Sequence, residues 1–108
     1  MPKNRTEESA ILAAICEYLE YKHYFFFRLN NIPVFDATQK RFRALPKYAM
    51  KGVADIFIGH RGRCSFVEVK RPAGVLSPEQ KKFEKGLTAV GLNYYVARSV
   101  DDMVKLGF

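Results

Sequence analysis

Two short apolar runs in the middle of the sequence constrain the fold most strongly. The first run, Val53–Ile58, and the second, Cys64–Val69, flank a polar connection, His60–Arg63, that contains Gly62. Apolar and β-branched segments on either side of a short glycine-containing connection are typical of a β-hairpin. The pattern therefore predicts two antiparallel strands at the centre of the fold.

Three charged side chains interrupt the apolar pattern of this hairpin. Asp55 lies in the first run, and Glu68 and Lys70 end the second. Because successive side chains of a strand alternate between faces, Glu68 and Lys70 are expected on the same face. Carboxylate oxygens are the ligands that Mg²⁺ and Mn²⁺ prefer, and a lysine beside such a cation can position a water molecule. The same residues also fit an exposed, salt-bridged strand, so the hairpin alone leaves both interpretations open.

Three segments, Gly52–Asp55, Glu68–Lys70 and Arg71–Gln80, resemble the VRR-NUC family of the PD-(D/E)xK nuclease superfamily. The similarity extends from about Thr6 to Val104. The chain looks like the compact, stand-alone (virus-type) VRR-NUC domains of phages and bacteria, which resemble Holliday junction resolvases. This resemblance implies an α/β fold with a restriction-endonuclease-like α-β-β-β-α-β core, in which helices flank a mixed four-stranded sheet.

The resemblance also implies a set of site residues. VRR-NUC domains carry a glutamate on the first helix that reaches the metal site, and the helical register favours Glu8 over Glu7. The implied ligands of one or two Mg²⁺ or Mn²⁺ ions are Glu8, Asp55, Glu68 and the carbonyl oxygen of Val69. The implied catalytic residues are Asp55, Glu68, Lys70 and Gln80. Among these, Lys70 is expected to position the attacking water and to balance charge on the scissile phosphate.

Glu8 and Gln80 also have local explanations, because each lies at a predicted helix start. Thr6 is a suitable N-cap for a helix that runs to about Tyr21, and acidic residues in a first turn favour the positive end of the helix dipole. Ser77 and Gln80 have the spacing of a capping box at a second helix. Gln80 is therefore explained by the cap as well as by the site.

The charge of the chain favours a polyanionic partner. The 108 residues carry a formal net charge of +7 and a sequence pI near 9.6, which favours nucleic acid as the partner of one domain spanning residues 1–108. No apolar run approaches the roughly 18 residues of a membrane span. Cys16 and Cys64 are too few for a disulfide framework or a zinc site. The sequence predicts a cytoplasmic protein without membrane contact or a small-molecule cofactor, and the resemblance implies a bacterial cell or phage-infected host.

Cations and aromatic residues are concentrated before the hairpin. Tyr24–Leu29 is predicted to be a buried aromatic strand, although its rings could instead stack on bases. The basic segment from Ile32 to Lys51 is longer than an ordinary connection and mixes cations with aromatics, as expected for a loop that binds phosphates. Its aromatics fit anchors to the protein body equally well. The candidate nucleic-acid-binding residues are Arg28, Asn30, Arg41, Arg43, Lys47, Lys51 and Arg71.

The predicted element order is helix, strand, hairpin, helix, strand and short helix. A helix that joins the second hairpin strand to the last strand makes a right-handed crossover, which predicts a parallel pair there. With the resemblance, this order predicts a metal-dependent, structure-specific endonuclease of branched DNA, foremost a Holliday junction resolvase acting as a homodimer. The alternatives are a nuclease of flaps or other branched ends, and a non-catalytic DNA-binding or recruitment module.

Overall fold

The computed structural model describes residues 3–29, 35–42 and 46–108 of the chain. Its helices and strands are, in chain order, α1 (Lys3–Tyr21), β1 (Phe25–Arg28), β2 (Phe35–Asp36), β3 (Arg41–Phe42), β4 (Ile56–His60), β5 (Arg63–Val69), α2 (Pro78–Ala89), β6 (Asn93–Ala97) and α3 (Val100–Lys105). This order confirms the predicted α-β-β-β-α-β core and adds a small pairing of β2 with β3. In the described ranges, no helix is long and apolar enough to cross a membrane.

The main sheet has four strands in the order β1-β4-β5-β6. β4 pairs antiparallel with both β1 and β5, which makes β4–β5 the central hairpin. β5 and β6 pair in parallel, with Phe66 beside Tyr94 and Glu68 beside Val96. The mixed sheet and the parallel pair predicted from the α2 crossover are therefore confirmed.

The hairpin has a tighter turn than the sequence pattern predicted. His60 pairs with Arg63, so only Arg61 and Gly62 lie in the turn. Both have positive φ, 49° and 77°, as in the type I′ turn whose twist matches that of the flanking strands. The prediction that all four residues of His60–Arg63 form the connection is therefore wrong. The first strand is also shorter than the apolar run Val53–Ile58 predicted at its start, since β4 begins only at Ile56.

α1 begins earlier than the sequence predicted. The helix starts at Lys3, so Thr6 lies inside it and the predicted Thr6 N-cap is wrong. Lysine, asparagine and arginine all tolerate a helical backbone, so the sequence contains no signal that stops the helix at Thr6. Glu7 and Glu8 consequently lie one turn inside the helix, where the helix dipole explains them less well.

The hydrophobic core lies between one face of the sheet and the helices α1 and α3. Its buried members are Ile15 and Leu19 of α1, Ile56, Ile58, Val67, Val69 and Ala97 of the sheet, and Met103 of α3. Burial of an aliphatic side chain of this size stabilises the fold by about 1.5–3 kcal/mol. This core fixes β4 and β5, which contain Glu68 and are flanked by Asp55 and Lys70.

The aromatic strand β1 is less buried than the sequence predicted. Phe25 is 69% exposed and Phe27 is 46% exposed, because β1 is an edge strand and α2 packs against β6 at the opposite edge. Phe27 contacts Phe57, and further ring contacts continue through Phe66 to Phe83 of α2. The prediction of a buried strand is therefore wrong for Phe25 and Phe27, which α2 does not cover.

Candidate active site

Asp55 is held firmly just before β4, next to the end of β5. Its backbone N–H donates to the carbonyl oxygen of Val67 at 3.0 Å, and its carbonyl accepts from the N–H of Leu29 at 2.8 Å. The N–H of Val69 donates to Asp55 Oδ2 at 2.7 Å, so the Asp55 side chain accepts a hydrogen bond from the backbone of β5. These bonds direct the carboxylate towards Glu68 on the neighbouring strand.

Glu68 is a buried carboxyl group with an unequal environment at its two oxygens. The residue is 3% exposed, and Oε2 accepts from Gln80 Nε2 at 3.1 Å, whereas the buried Oε1 has no hydrogen-bond partner in the described part of the chain. Burial raises the pKa of Glu68 to about 9, and the adjacent Asp55 carboxylate acts in the same direction. Asp55 and Glu68 therefore form a pair that does not readily carry two negative charges without a cation.

Lys70 supplies the nearest positive charge to this pair. Its Nζ lies 3.9 Å from Glu68 Oε2, and the residue is 9% exposed. The N–H of Lys70 donates to the carbonyl oxygen of Ala97 at 3.1 Å, which fixes the backbone where β5 and β6 end. The charge of Lys70 lowers the pKa of Glu68, but burial and Asp55 outweigh this effect. Glu68 and Lys70 are both buried, so the alternative interpretation of an exposed, salt-bridged strand is wrong.

Gln80 connects the start of α2 to Glu68. Its Oε1 accepts from the N–H of Ser77 at 2.8 Å, and its N–H donates to Ser77 Oγ at 3.2 Å, which forms the predicted capping box. The Nε2 of the same side chain donates to Glu68 Oε2. The cap and the contact with the carboxylate pair therefore coexist in one conformation.

Glu8 lies near the carboxylate pair, and Glu7 is exposed. The charge of Glu8 contributes to the raised pKa of Glu68, although less than Asp55 does. The Oε2 of Glu8 faces Gly74, where a Cβ atom would lie 3.5 Å away. However, no three His, Cys, Asp or Glu side chains in the described ranges form a group that could hold a metal ion. The structure thus brings together Asp55 and Glu68 and leaves Glu8 beside them.

The oxygen atoms of the pair suit a divalent cation. The described residues offer the buried Glu68 Oε1 no hydrogen-bond partner, and two adjacent carboxylates are the hard donors that Mg²⁺ and Mn²⁺ prefer. A cation would also offset the repulsion that raises the pKa of Glu68. The donor set therefore fits such an ion at Asp55 and Glu68.

The candidate nucleic-acid-binding residues do not converge on a single point. Arg71 follows Lys70 directly, and Lys51 lines a cavity of about 340 Å³ with residues of α2 that include Lys82. Arg28, Arg41 and Lys47 are exposed, and Lys47 Nζ lies 5.1 Å from the ring centroid of Tyr48. The remaining candidates, Asn30 and Arg43, lie outside the described residues.

Two residues near the site were not predicted as site residues from the sequence. Arg98 donates to the carbonyl oxygens of Pro72 and Gly74, at 3.2 and 2.7 Å, and so fixes the loop after Lys70. Tyr94 places a buried hydroxyl group, which has no hydrogen-bond partner within residues 3–29, 35–42 and 46–108, on the face of the sheet that carries Glu68. Both positions follow from the parallel register of β5 and β6, which no local sequence pattern encodes.

The fold and the site define a restriction-endonuclease-like α/β domain with a carboxylate pair and a lysine at the end of the central hairpin. No family model matches the sequence, and no curated protein is significantly similar to it. A solved structure described as "VRR_NUC domain" is similar over 93% of this chain and 92% of that chain, with a TM-score of 0.65 and 22% sequence identity. The chain therefore has the fold of a VRR_NUC domain.

Proposed function

We propose that residues 1–108 form a single nuclease domain that hydrolyses phosphodiester bonds in DNA with the help of Mg²⁺ or Mn²⁺. The observation that carries the proposal is the pairing of half-buried Asp55 with buried Glu68, next to the buried Lys70. Burying a carboxyl group and an ammonium group next to a second carboxylate costs stability, so such a cluster indicates a function. The fold of a VRR_NUC domain supports a nuclease as that function.

Asp55 and Glu68 would hold the cation, together with the carbonyl oxygen of Val69, and Glu8 is the third carboxylate on this side. A divalent cation supplies polarisation of the phosphoryl oxygen and charge for the leaving oxyanion. Glu68 would bind the ion as a carboxylate, and Gln80 Nε2 would hold its Oε2 in place. The N–H of Val69 would hold Asp55 Oδ2 in the same way.

Lys70 is proposed to act on the attacking water and the phosphate. Its ammonium group donates hydrogen bonds, so it can orient a water molecule and a nonbridging phosphoryl oxygen together. Negative charge accumulates on that oxygen as the new P–O bond forms, and a buried cation stabilises this charge more strongly than an exposed one does. Lys70 is 9% exposed, which suits this role.

The DNA backbone would be bound by cations around the site. The net charge of +7 supports an interaction with polyanions, and the affinity should fall as salt rises. The proposed phosphate contacts are Arg28, Asn30, Arg41, Arg43, Lys47, Lys51 and Arg71. The proposed place of action is the cytoplasm of a bacterial cell or phage-infected host.

We further propose that the substrate is branched DNA and that the active form is a homodimer. Two symmetric cuts in a four-way junction need two sites related by a two-fold axis. The exposed rings of Phe25 and Phe27 on the edge strand β1 support an interface there, because an antiparallel edge strand can pair with its own copy. The second candidates are a flap nuclease and a recruitment module that binds DNA without cutting it.

The test of this function is cleavage of labelled DNA by the wild-type protein and by Lys70→Met. With Mg²⁺ or Mn²⁺, we expect wild type to cut a four-way junction in paired symmetric positions. Loss of the buried ammonium group should lower the rate at least about a hundredfold. Lys105→Met removes an exposed lysine of α3 and serves as the control with normal activity.

Each outcome of this assay separates the candidates. Cutting of a 5′-flap but not of the junction would support the proposed nuclease activity and contradict the proposed resolvase activity. Binding of DNA without cutting by the wild type under any divalent cation would favour the recruitment module. A Lys70→Met variant as active as the wild type would contradict the assigned site.

The dimer leads to a separate prediction for β1. We expect the wild type to sediment as a dimer, and the double variant Phe25→Glu/Phe27→Glu to sediment as a monomer, because buried charges at an interface are costly. Val90→Glu is the matched control, since Val90 is 72% exposed on the α2 side and should leave the dimer intact. Analytical ultracentrifugation over a concentration series measures this, and a monomeric wild type would contradict the proposed dimer.

A further inference from the structure

Arg98, the first residue after β6, uses its side chain to hold the turn that follows Lys70. Its Nε donates to the carbonyl oxygen of Pro72 at 3.2 Å, and its Nη2 donates to that of Gly74 at 2.7 Å. A guanidinium group makes both bonds at once because its donors lie in one rigid plane, whereas a lysine has a single nitrogen. Arg98 therefore ties the end of β6 to this turn at two points.

The turn and Arg98 each have further hydrogen bonds of their own. Within the turn, the N–H of Gly74 donates to the carbonyl oxygen of Arg71 at 2.9 Å, and Pro72 takes the second position, where proline favours a β-turn. The N–H of Arg98 donates to Asp102 Oδ2 at 2.8 Å, at the start of α3. The Arg98 side chain thus connects a closed turn to an anchored strand end.

Gly74 of this turn packs against Glu8 of α1. Gly74 is buried, and a Cβ atom placed on it would lie 3.5 Å from Glu8 Oε2 and 3.3 Å from Arg71 Cγ. Glu8 is half-buried, and its negative charge contributes to the raised pKa of Glu68. The turn is therefore one wall of the space that the Glu8 carboxylate occupies beside the carboxylate pair.

We propose that Arg98 is a positioning residue that, through the turn Arg71–Gly74, holds the carboxylate of Glu8 beside the carboxylate pair. A fixed wall leaves Glu8 fewer conformations, so less conformational entropy is lost when its carboxylate joins the pair around a cation. Without Arg98, two carbonyl oxygens of the turn lose their donors, and the turn shifts to replace them. This inference rests on the proposed function, in which Glu8 is the third carboxylate of the site.

The hold of Arg98 on the turn can be tested without metal. Hydrogen–deuterium exchange of the Gly74 amide, followed by NMR in EDTA, should be at least about tenfold faster in Arg98→Met than in the wild type, because two hydrogen bonds to the turn are lost. Arg63→Met is the matched control, since Arg63 is an exposed arginine at the start of β5. Wild-type exchange in Arg98→Met would overturn the proposal, whether or not the protein is a nuclease.

The link to Glu8 is tested by a double-mutant cycle of Arg98→Met and Glu8→Gln, with Mn²⁺ affinity measured by titration calorimetry. Arg98→Met alone should weaken Mn²⁺ binding by about tenfold, and Arg63→Met should bind as the wild type does. In the Glu8→Gln background, Arg98→Met should have little further effect, because the carboxylate that Arg98 positions is already gone. A parallel cycle with Arg98→Lys, which retains the charge and the aliphatic stem, should show the same coupling with a smaller loss and covers the case in which Arg98→Met does not fold.

A merely structural role of Arg98 would give a different result. If its replacement weakens Mn²⁺ binding equally with Glu8 and with Gln at position 8, the effect does not pass through Glu8 and the positioning role is overturned. Wild-type Mn²⁺ affinity in the Arg98 variants would overturn that role alone and leave the proposed function intact. A wild type that binds no Mn²⁺ and cuts no DNA would contradict the proposed function, and this inference with it.

Discussion

Replacement of Glu68 by glutamine is expected to abolish cleavage and, at the same time, to stabilise the metal-free protein. Cleavage should fall by roughly a thousandfold, because the amide cannot replace a carboxylate that holds a cation. The free energy of unfolding at pH 8 should rise by about 2 kcal/mol, because the unfolded wild-type chain is stabilised by ionising Glu68 and the unfolded glutamine variant is not. A site residue whose loss improves stability is typical of groups kept for function.

The pH dependence of unfolding tests the cause of this gain. The pKa of Glu68 is about 9 in the folded state and 4.5 as its ordinary value, so the native protein retains a proton that the unfolded chain releases. The stability that Glu68 contributes is therefore complete below about pH 4.5 and is lost as the pH rises towards 9. Urea unfolding in EDTA at pH 5, 7 and 9 should show this decline in the wild type and much less of it in Glu68→Gln.

Glu17→Gln is the matched control for this experiment, because Glu17 is an exposed glutamate of α1. It should unfold with the same pH dependence as the wild type. Addition of Mn²⁺ should stabilise the wild type and Glu17→Gln but not Glu68→Gln, since a ligand stabilises only the state that binds it. Equal pH dependence in wild type and Glu68→Gln would contradict the raised pKa.

Gly52→Ala is expected to be the most destabilising of the substitutions considered for this site. Gly52 has a φ of 76°, and a Cβ atom there would lie 2.4 Å from the carbonyl carbon and oxygen of Glu79 and 2.7 Å from the nitrogen of Gln80. These are backbone atoms at the start of α2, so they can yield only if the helix shifts. We expect a loss of roughly 3–5 kcal/mol in the free energy of unfolding, measured in urea.

Gly62→Ala separates backbone strain from this clash. Gly62 has a φ of 77°, almost the same as Gly52, but a Cβ atom there has nothing within 4 Å. Gly62→Ala should therefore cost only about 1–2 kcal/mol, the penalty of the left-handed backbone. Equal losses in the two variants would contradict the close packing of Gly52 on α2. In the Gly52→Ala protein that remains folded, DNA cleavage should also fall, because Gln80 moves with the helix start.

The central hairpin could be predicted from sequence because its information is local. Alternation of apolar residues defines β5, and it puts Glu68 and Lys70 on one face. The parallel pairing of β5 with β6 followed from the handedness of the crossover, which is a general rule and needs no particular residue. The capping box of α2 could also be predicted, because it is formed by Ser77 and Gln80, which lie three residues apart in the sequence.

Other features depend on distant parts of the chain and could not be predicted. The aromatic composition of β1 predicts burial, but exposure of Phe25 depends on how far α2 extends across the sheet. The hydroxyl group of Tyr94 reaches the site region only through the register of two strands that lie far apart in sequence. The unpaired Oε1 of Glu68 likewise follows from three-dimensional packing.

The double use of Gln80 constrains how this protein can diverge. One amide group closes the capping box with Ser77 and also donates to Glu68. Any replacement at position 80 therefore affects the helix start and the contact with Glu68 together. Sequence drift should consequently be slower at the start of α2 than along its exposed face.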